Sequence, residues 1–197
     1  MFLLKHAKKM FFSKKRSTTV IISFLFIVFF LTSLSNNALN SIVHDFPIPP
    51  QTKSMLFYIQ RNVNINTIVY DANIKDGKIN PEKSLNIYWI KYTEKNQKKD
   101  LNYLERVLAY GAETKATDYD KDVYTLHFVA SKKRTATFFM DESGQAIALM
   151  TINGKKSRLN KIFVQAEETS WLPKVKYVDI IGSDLQTGVK VTERIFP

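Results

Sequence analysis

"TATFFMDESGQAIALMTINGKKSRLN", residues 135–160, decides how the rest of the chain is read. Two apolar-rich runs, Thr135–Met140 and Ala146–Ile152, flank "DESGQ" at 141–145, and "NGKK" at 153–156 leads into a third run from Leu159 to Glu167. Runs of this length rich in β-branched and aromatic residues read as strands. Gly and Asn accept a positive φ, so both connections are short enough for hairpins. The stretch predicts an antiparallel meander.

The same pattern extends in both directions. Upstream, Met55–Gln60, Thr67–Ala72, Leu85–Tyr92 and Val123–Ala130 read as strands, and downstream so do Val175–Ile181 and Val189–Ile195, joined by "SDLQTG" at 183–188. Only "DLNYLERVLAYG", 100–111, has helical spacing, with Leu101, Leu104, Val107 and Leu108 behind Asp100 as N-cap and Gly111 past the end. The expected architecture is mainly β: an antiparallel β-sandwich or partly open barrel of about eight to nine strands with one short α-helix, preceded by an N-terminal hydrophobic helix.

That first apolar segment, "VIISFLFIVFFLTSL" at 20–34, follows Lys5, Lys8, Lys9, Lys14, Lys15 and Arg16. A basic end before an apolar run is the pattern of an export signal. About fifteen apolar residues favour a signal peptide over the roughly twenty of a membrane span. Ser33 and Ser35 suit cleavage before Asn36, whereas the long basic lead suits a retained anchor, and either way the domain lies outside the cytoplasm. The expected organisation is a signal peptide or signal-anchor over 1–35, an extended Pro-containing linker over 36–54 and a β-rich domain over 55–197. Localisation is thus expected to be periplasmic or otherwise extracytoplasmic, with the membrane a partner through the N-terminal segment if that segment is uncleaved.

The net charge of +11 falls to 23 basic against 18 acidic residues, or +5, once those six leader cations are set aside. So diffuse a charge does not imply a nucleic-acid partner. There is no cysteine, which removes disulfides, thiolate metal sites, cysteine nucleophiles and a lipidated-cysteine anchor.

Catalytic motifs are equally scarce. "DANIKDGKI" at 71–79 and "DYDKD" at 118–122 echo calcium loops, but the first puts Ala72, Ile74 and Lys83 at ligand positions and the second Val123 and Val129 where glycine and the last ligand belong. His44 sits in the linker, leaving His127 in "VYTLHFVA" as the weak catalytic candidate, without a second histidine at metal-ligand spacing. The acidic pairs Asp141–Glu142 and Glu167–Glu168 are adjacent, so strands would send their members to opposite faces. No elbow, phosphate-binding or dinucleotide motif is present, and neither a metal nor a cofactor is implied.

Binding candidates are better represented. "RNVNINTIVYDANI", 61–74, frames an apolar run with Asn62, Asn64, Asn66 and Asn73, which read first as turn formers. The functional alternative sets Arg61, Asn66 and Asp71 as a polar rim, with Tyr70 and Trp89 as aromatic members of the candidate ligand site. "IYWIKY" at 87–92 is either a strand buried on both faces or an aromatic platform for a sugar or peptidoglycan-like ligand. "SKKRT" at 131–135 reads as a hairpin tip whose cations could meet anionic envelope polymers or lipid headgroups.

"LFYIQRNVNINTIVYDAN" (56–73), "LNIYWIKYTE" (85–94) and "LNYLERVLAYG" (101–111), in this order, resemble the domain of unknown function 4833 family. The likeness covers most of 55–165 and fades toward the C-terminus. It implies a mostly exported bacterial protein of this size and supplies no activity. The resulting expectation is an exported cell-envelope protein acting as a binding or structural module on an unknown envelope ligand or protein. The alternative is a hydrolase or lyase acting on an envelope polymer through His127 and neighbouring acids.

Overall fold

The computed structural model describes residues 46–167 and 174–197, all within the compact unit Asp45–Pro197. The expected leader and hydrophobic helix, linker residues 36–45 with His44, and Glu168 lie outside the described residues. Thirteen strands follow in order: β1 (Met55–Arg61), β2 (Asn64–Ala72), β3 (Ile74–Lys75), β4 (Lys78–Ile79), β5 (Leu85–Lys91), β6 (Gln97–Asp100), β7 (Ala112–Ala116), β8 (Tyr124–Phe128), β9 (Ser131–Met140), β10 (Ala146–Ile152), β11 (Lys155–Glu167), β12 (Lys174–Asp184) and β13 (Lys190–Ile195). The 3₁₀ turn Tyr92–Glu94 and the π-turn Glu105–Ala109 are the helical elements among the described residues.

Eleven strands form one sheet, in the order β6-β5-β2-β1-β11-β10-β9-β8-β7, with β12 and β13 added beyond β11. It curls into a half-barrel, the partly open barrel expected, although the sheet is mixed. β1 runs parallel to β11, Tyr58 opposite Lys161 and Arg61 opposite Val164, while every other ladder among the described residues is antiparallel. Hairpin signals report only neighbouring strands, so this pairing across a hundred residues left no trace in the turns. β10 pairs with Lys155–Arg158 of β11 and β1 with Lys161–Val164, so the long β11 joins the two halves of the sheet.

The meander of the opening stretch forms as expected. Asn153 and Gly154 have φ of 48° and 77°, the pair of left-handed residues that a tight twisted hairpin requires, and Ile152 faces Lys155 across it. One boundary differs: the turn before β9 is Val129–Ala130, so "SKKRT" is strand and not a hairpin tip. Arg134 there grips Glu193 of β13 with both guanidinium ends, Nη1 to Oε2 at 3.1 Å, and the Asn153 amide donates to the same carboxylate at 2.8 Å.

The Arg134 bond first, then the Asn153 amide, hold the Glu193 carboxyl below its usual range. A carboxylate with a depressed folded pKa adds stability that is full above its unfolded pKa and lost as pH falls through the folded one. Glu193→Gln is therefore expected to cost about 1–2 kcal/mol at neutral pH, because two charge-assisted hydrogen bonds weaken in a half-buried site. The deficit should shrink below about pH 4, where the native carboxyl also begins to protonate. Urea titrations at pH 7 and pH 3 check this, and a deficit that does not change with pH would assign the cost to packing alone.

The expected α-helix at 101–111 is cut down to a single helical turn, α at Tyr103 and Leu104 and running into the π-turn. Its cap is Asn102 rather than Asp100: Asn102 Oδ1 accepts from the Glu105 amide and Glu105 Oε2 from the Asn102 amide, each at 2.9 Å. This reciprocal pair is a capping box, shifted two residues beyond the expected start. Asp100 belongs to β6, where it faces Tyr88.

Apolar residues line both faces of the central strands. Inside the curl, Phe57 stacks on Tyr70 at 4.4 Å between ring centres, with Phe128 edge-on to both, and Tyr124 stacks on Phe138 at 5.4 Å. On the other face Met55, Val69 and Ile90 gather under Tyr58, Tyr88 and Tyr92. The segment before β1 runs along the sheet, where Pro47 O accepts from Gln60 Nε2 at 2.7 Å and Phe46 meets Phe163 edge-on.

Candidate functional site

Alternation along three neighbouring strands builds the site. Ile87 and Trp89 of β5, Ile68 and Tyr70 of β2, and Phe57 and Ile59 of β1 share the inner core, and Arg61 continues the β1 row at its far end. Segment 101–111 crosses the opening between β6 and β7 as a strap and brings Tyr110 over this row. Tyr70 Oη donates to the Tyr110 carbonyl at 2.5 Å, and Trp89 Nε1 donates to Glu105 Oε2 at 3.2 Å.

Arg61 packs beside both Trp89 and Tyr110, whose rings meet edge-on with centres 5.5 Å apart. Its guanidinium carbon is 4.9 Å from the Trp89 ring centre and 5.6 Å from that of Tyr110, and Nη1 donates to Tyr110 Oη at 2.8 Å. Lys91 Nζ is 4.4 Å from the same Trp89 ring. Cations over aromatic faces gain from the ring quadrupole, but such a face does not neutralise charge. Among the described residues no carboxylate forms an ion pair with Arg61, and its buried Nε has no acceptor. A buried guanidinium donor normally finds an acceptor. Trp89 is 2% exposed, so the indole backs the two cations rather than offering a face, and an anionic group would meet Lys91 and the accessible part of Arg61.

Three of the five binding residues expected from sequence thus converge: Arg61, Tyr70 and Trp89. Tyr70 is fully buried, and burial first, then Tyr110, push its hydroxyl far above the usual tyrosine range, so it anchors the strap as a neutral donor. Asn66 turns toward the 3₁₀ segment, its Oδ1 3.4 Å from Thr93 Oγ1. Asp71 does not join the rim, because alternation sends it to the opposite face from Tyr70. There it accepts from Tyr88 Oη at 2.8 Å, and burial raises its pKa against the opposing pull of that bond and of Lys98.

The other asparagines of the frame tie backbone. Asn62 makes a two-way clamp with Ala166, 2.9 Å to its carbonyl and 2.7 Å from its amide, while Asn64 accepts from the Asn66 amide and Asn73 donates to Lys83 O. His127 lies exposed on β8, between Glu113 and Thr135 on the adjacent strands, with no place in the Arg61 cluster. Among the described residues no group of three His, Asp or Glu side chains could hold a metal ion.

Sequence reasoning passed over Tyr110, Lys91 and Glu105. Lys91 alternates with Trp89 on one strand face and was within reach of the pattern, whereas Tyr110 and Glu105 meet Trp89 only through the strap. An open groove of about 490 Å³ separates the β3–β4 hairpin from the loop before β8. Lys75, Lys78 and Lys121 there are offset by Asp76, Glu82 and Asp122, so it has no one-signed charge to select a ligand.

The comparisons with known proteins place this chain in a family. Residues 57–194 match the domain of unknown function DUF4833, and the chain belongs to that family. The match extends past residue 165, so it takes in β11 and the β12–β13 hairpin as well as the three blocks that carried the resemblance. No curated protein and no solved structure matches the chain.

Proposed function

We propose that the protein is an exported binding module of the cell envelope, taking an anionic group of an envelope ligand at Arg61 and Lys91 beside Trp89. The observation that carries this reading is a half-buried guanidinium without a carboxylate partner, packed against an edge-on pair of aromatic rings. Both rings are held in place by hydrogen bonds, so the site is formed before a ligand arrives. Export is supported by the basic end and apolar run of residues 1–35. The hydrolase or lyase reading draws no support from His127, which stands on an exposed strand face and not in a concave pocket.

Native mass spectrometry of the full chain, gently purified from its own envelope fraction, tests this function. An extra mass that is reproducible in the wild type is expected. In Arg61→Gln its occupancy should fall at least tenfold, corresponding to about 1.4 kcal/mol of binding. Lys91→Gln, which leaves the Tyr110 bond intact, should show a smaller loss in the same direction. A bare chain, or an extra mass indifferent to both substitutions, would overturn the reading.

A further inference from the structure

The strap has a second side. Tyr103 is 76% exposed, Leu104 62%, Val107 42% and Leu108 70%, and no residue of the π-turn Glu105–Ala109 is buried. An amphipathic turn that packed on the sheet would bury its apolar row. Here Trp89, Glu105 and Tyr110 fasten the strap from beneath, and the leucines and valine point away from the core. Large apolar side chains scattered singly need no explanation, but four within six residues form a patch.

Charge surrounds it. Lys95, Lys98 and Lys99 on the edge next to the strap and Arg106 on the π-turn itself are exposed. They make four cations between residues 95 and 106, with Lys98 leaning over the Tyr88 ring, against Asp100 and Glu105. Glu105 is already engaged by Trp89 Nε1 and the Asn102 amide, leaving the surface of the patch predominantly positive.

We propose that this strap is a docking surface for an anionic lipid bilayer, with Leu104, Val107 and Leu108 entering the headgroup boundary, Tyr103 at its level, and the cations meeting lipid phosphates. The composition is that of an interfacial element: an aliphatic tip, an amphipathic tyrosine and a basic margin. A bilayer needs no complementary shape and accepts a small apolar tip. The proposal is independent of the anion site at Arg61, which lies on the strap's other side.

The absence of cysteine makes the test direct, because a single introduced thiol is unique in the chain. The full chain carrying Leu104→Cys is labelled with a polarity-sensitive fluorophore and mixed with phosphatidylglycerol or phosphatidylcholine vesicles. Glu142→Cys is the control: it lies exposed in the β9–β10 turn, which Ala146 ties through its amide to Lys53 O, at the opposite end of β1 from Arg61. Any insertion of the leader contributes equally to both labelled proteins.

The expected result is a blue shift at position 104 on phosphatidylglycerol, much smaller on phosphatidylcholine, with none at position 142. Reversing Lys99, which shares the Trp89 face, and Arg106 to glutamate should lower the apparent affinity for phosphatidylglycerol at least tenfold while leaving the thermal midpoint near that of the parent. No shift at position 104, or equal shifts at both positions, would overturn the proposal. So would a blue shift that needs no vesicles and grows with protein concentration, which would assign the patch to a second copy of the chain.

Discussion

Phe57→Ala is expected to destabilise the domain by about 4 kcal/mol, the range found when a fully buried aromatic side chain is truncated. Phe57 is 1% exposed and packs against both Tyr70 and Phe128, so the alanine leaves a void lined by two rings. Neither wall can readily fill it. Tyr70 is held by its bond to the Tyr110 carbonyl, and Phe128 ends β8 at a shifted register beside the Val129–Ala130 turn. A void whose lining cannot relax keeps the full loss of contact as well as the loss of transfer energy. Urea unfolding should show a lower midpoint at an unchanged slope. A loss below about 1.5 kcal/mol would mean that Tyr70 can leave the strap to repack.

The opening hairpins were legible because their signal is local. Ala146–Ile152 was bounded correctly by alternating burial and by Asn-Gly chemistry, and the other eight expected runs each contain a strand. What escaped was set by distance or exposure. "QKKD" at 97–100 is a fully exposed edge strand, so it carries no apolar alternation, yet it pairs with β5 through its backbone. β7 was likewise hidden in a short mixed run, and the β1–β11 pairing joins segments with a hundred residues between them.

The strap misled for a different reason. Leu101, Leu104, Val107 and Leu108 do repeat at helical spacing, but only Leu101 is buried, so the periodicity marks a surface and not a core. At the site, Arg61 and Trp89 could be singled out by residue type in strands that read clearly. Their shared partner Tyr110 could not, because nothing local links residue 110 to residues 61 and 89. Asp71 was misassigned to the rim even though two-residue alternation separates it from Tyr70, and register outranks chemical plausibility in a strand.

Gly111→Ala is expected to cost about 3 kcal/mol and, unlike Phe57→Ala, to act first on the strap. A Cβ at this position would sit 1.8 Å from the Arg106 carbonyl oxygen and 2.8 Å from its carbon. Both atoms are backbone, so no side-chain rotation relieves the overlap, and the π-turn must shift or open. The close approach is built in: the Tyr110 amide bonds to Glu105 O at 2.7 Å, and Gly111 O accepts from the Val129 amide at 3.1 Å, holding the turn against β8 from both sides. Opening the turn therefore pulls on the Tyr110 carbonyl that Tyr70 holds and on the Tyr110 hydroxyl that Arg61 uses. Two readouts separate local from global damage. Limited proteolysis should gain a cleavage within 101–111 under conditions where the wild-type chain resists, and amide exchange should accelerate there before it does in β10 or β11. Uniform acceleration across the sheet would instead make the strap part of the same cooperative unit as the core. The proposed anion site and the proposed lipid-docking surface would then share one element, since whatever moves Tyr110 on the inner side also moves Leu104 and Leu108 on the outer side.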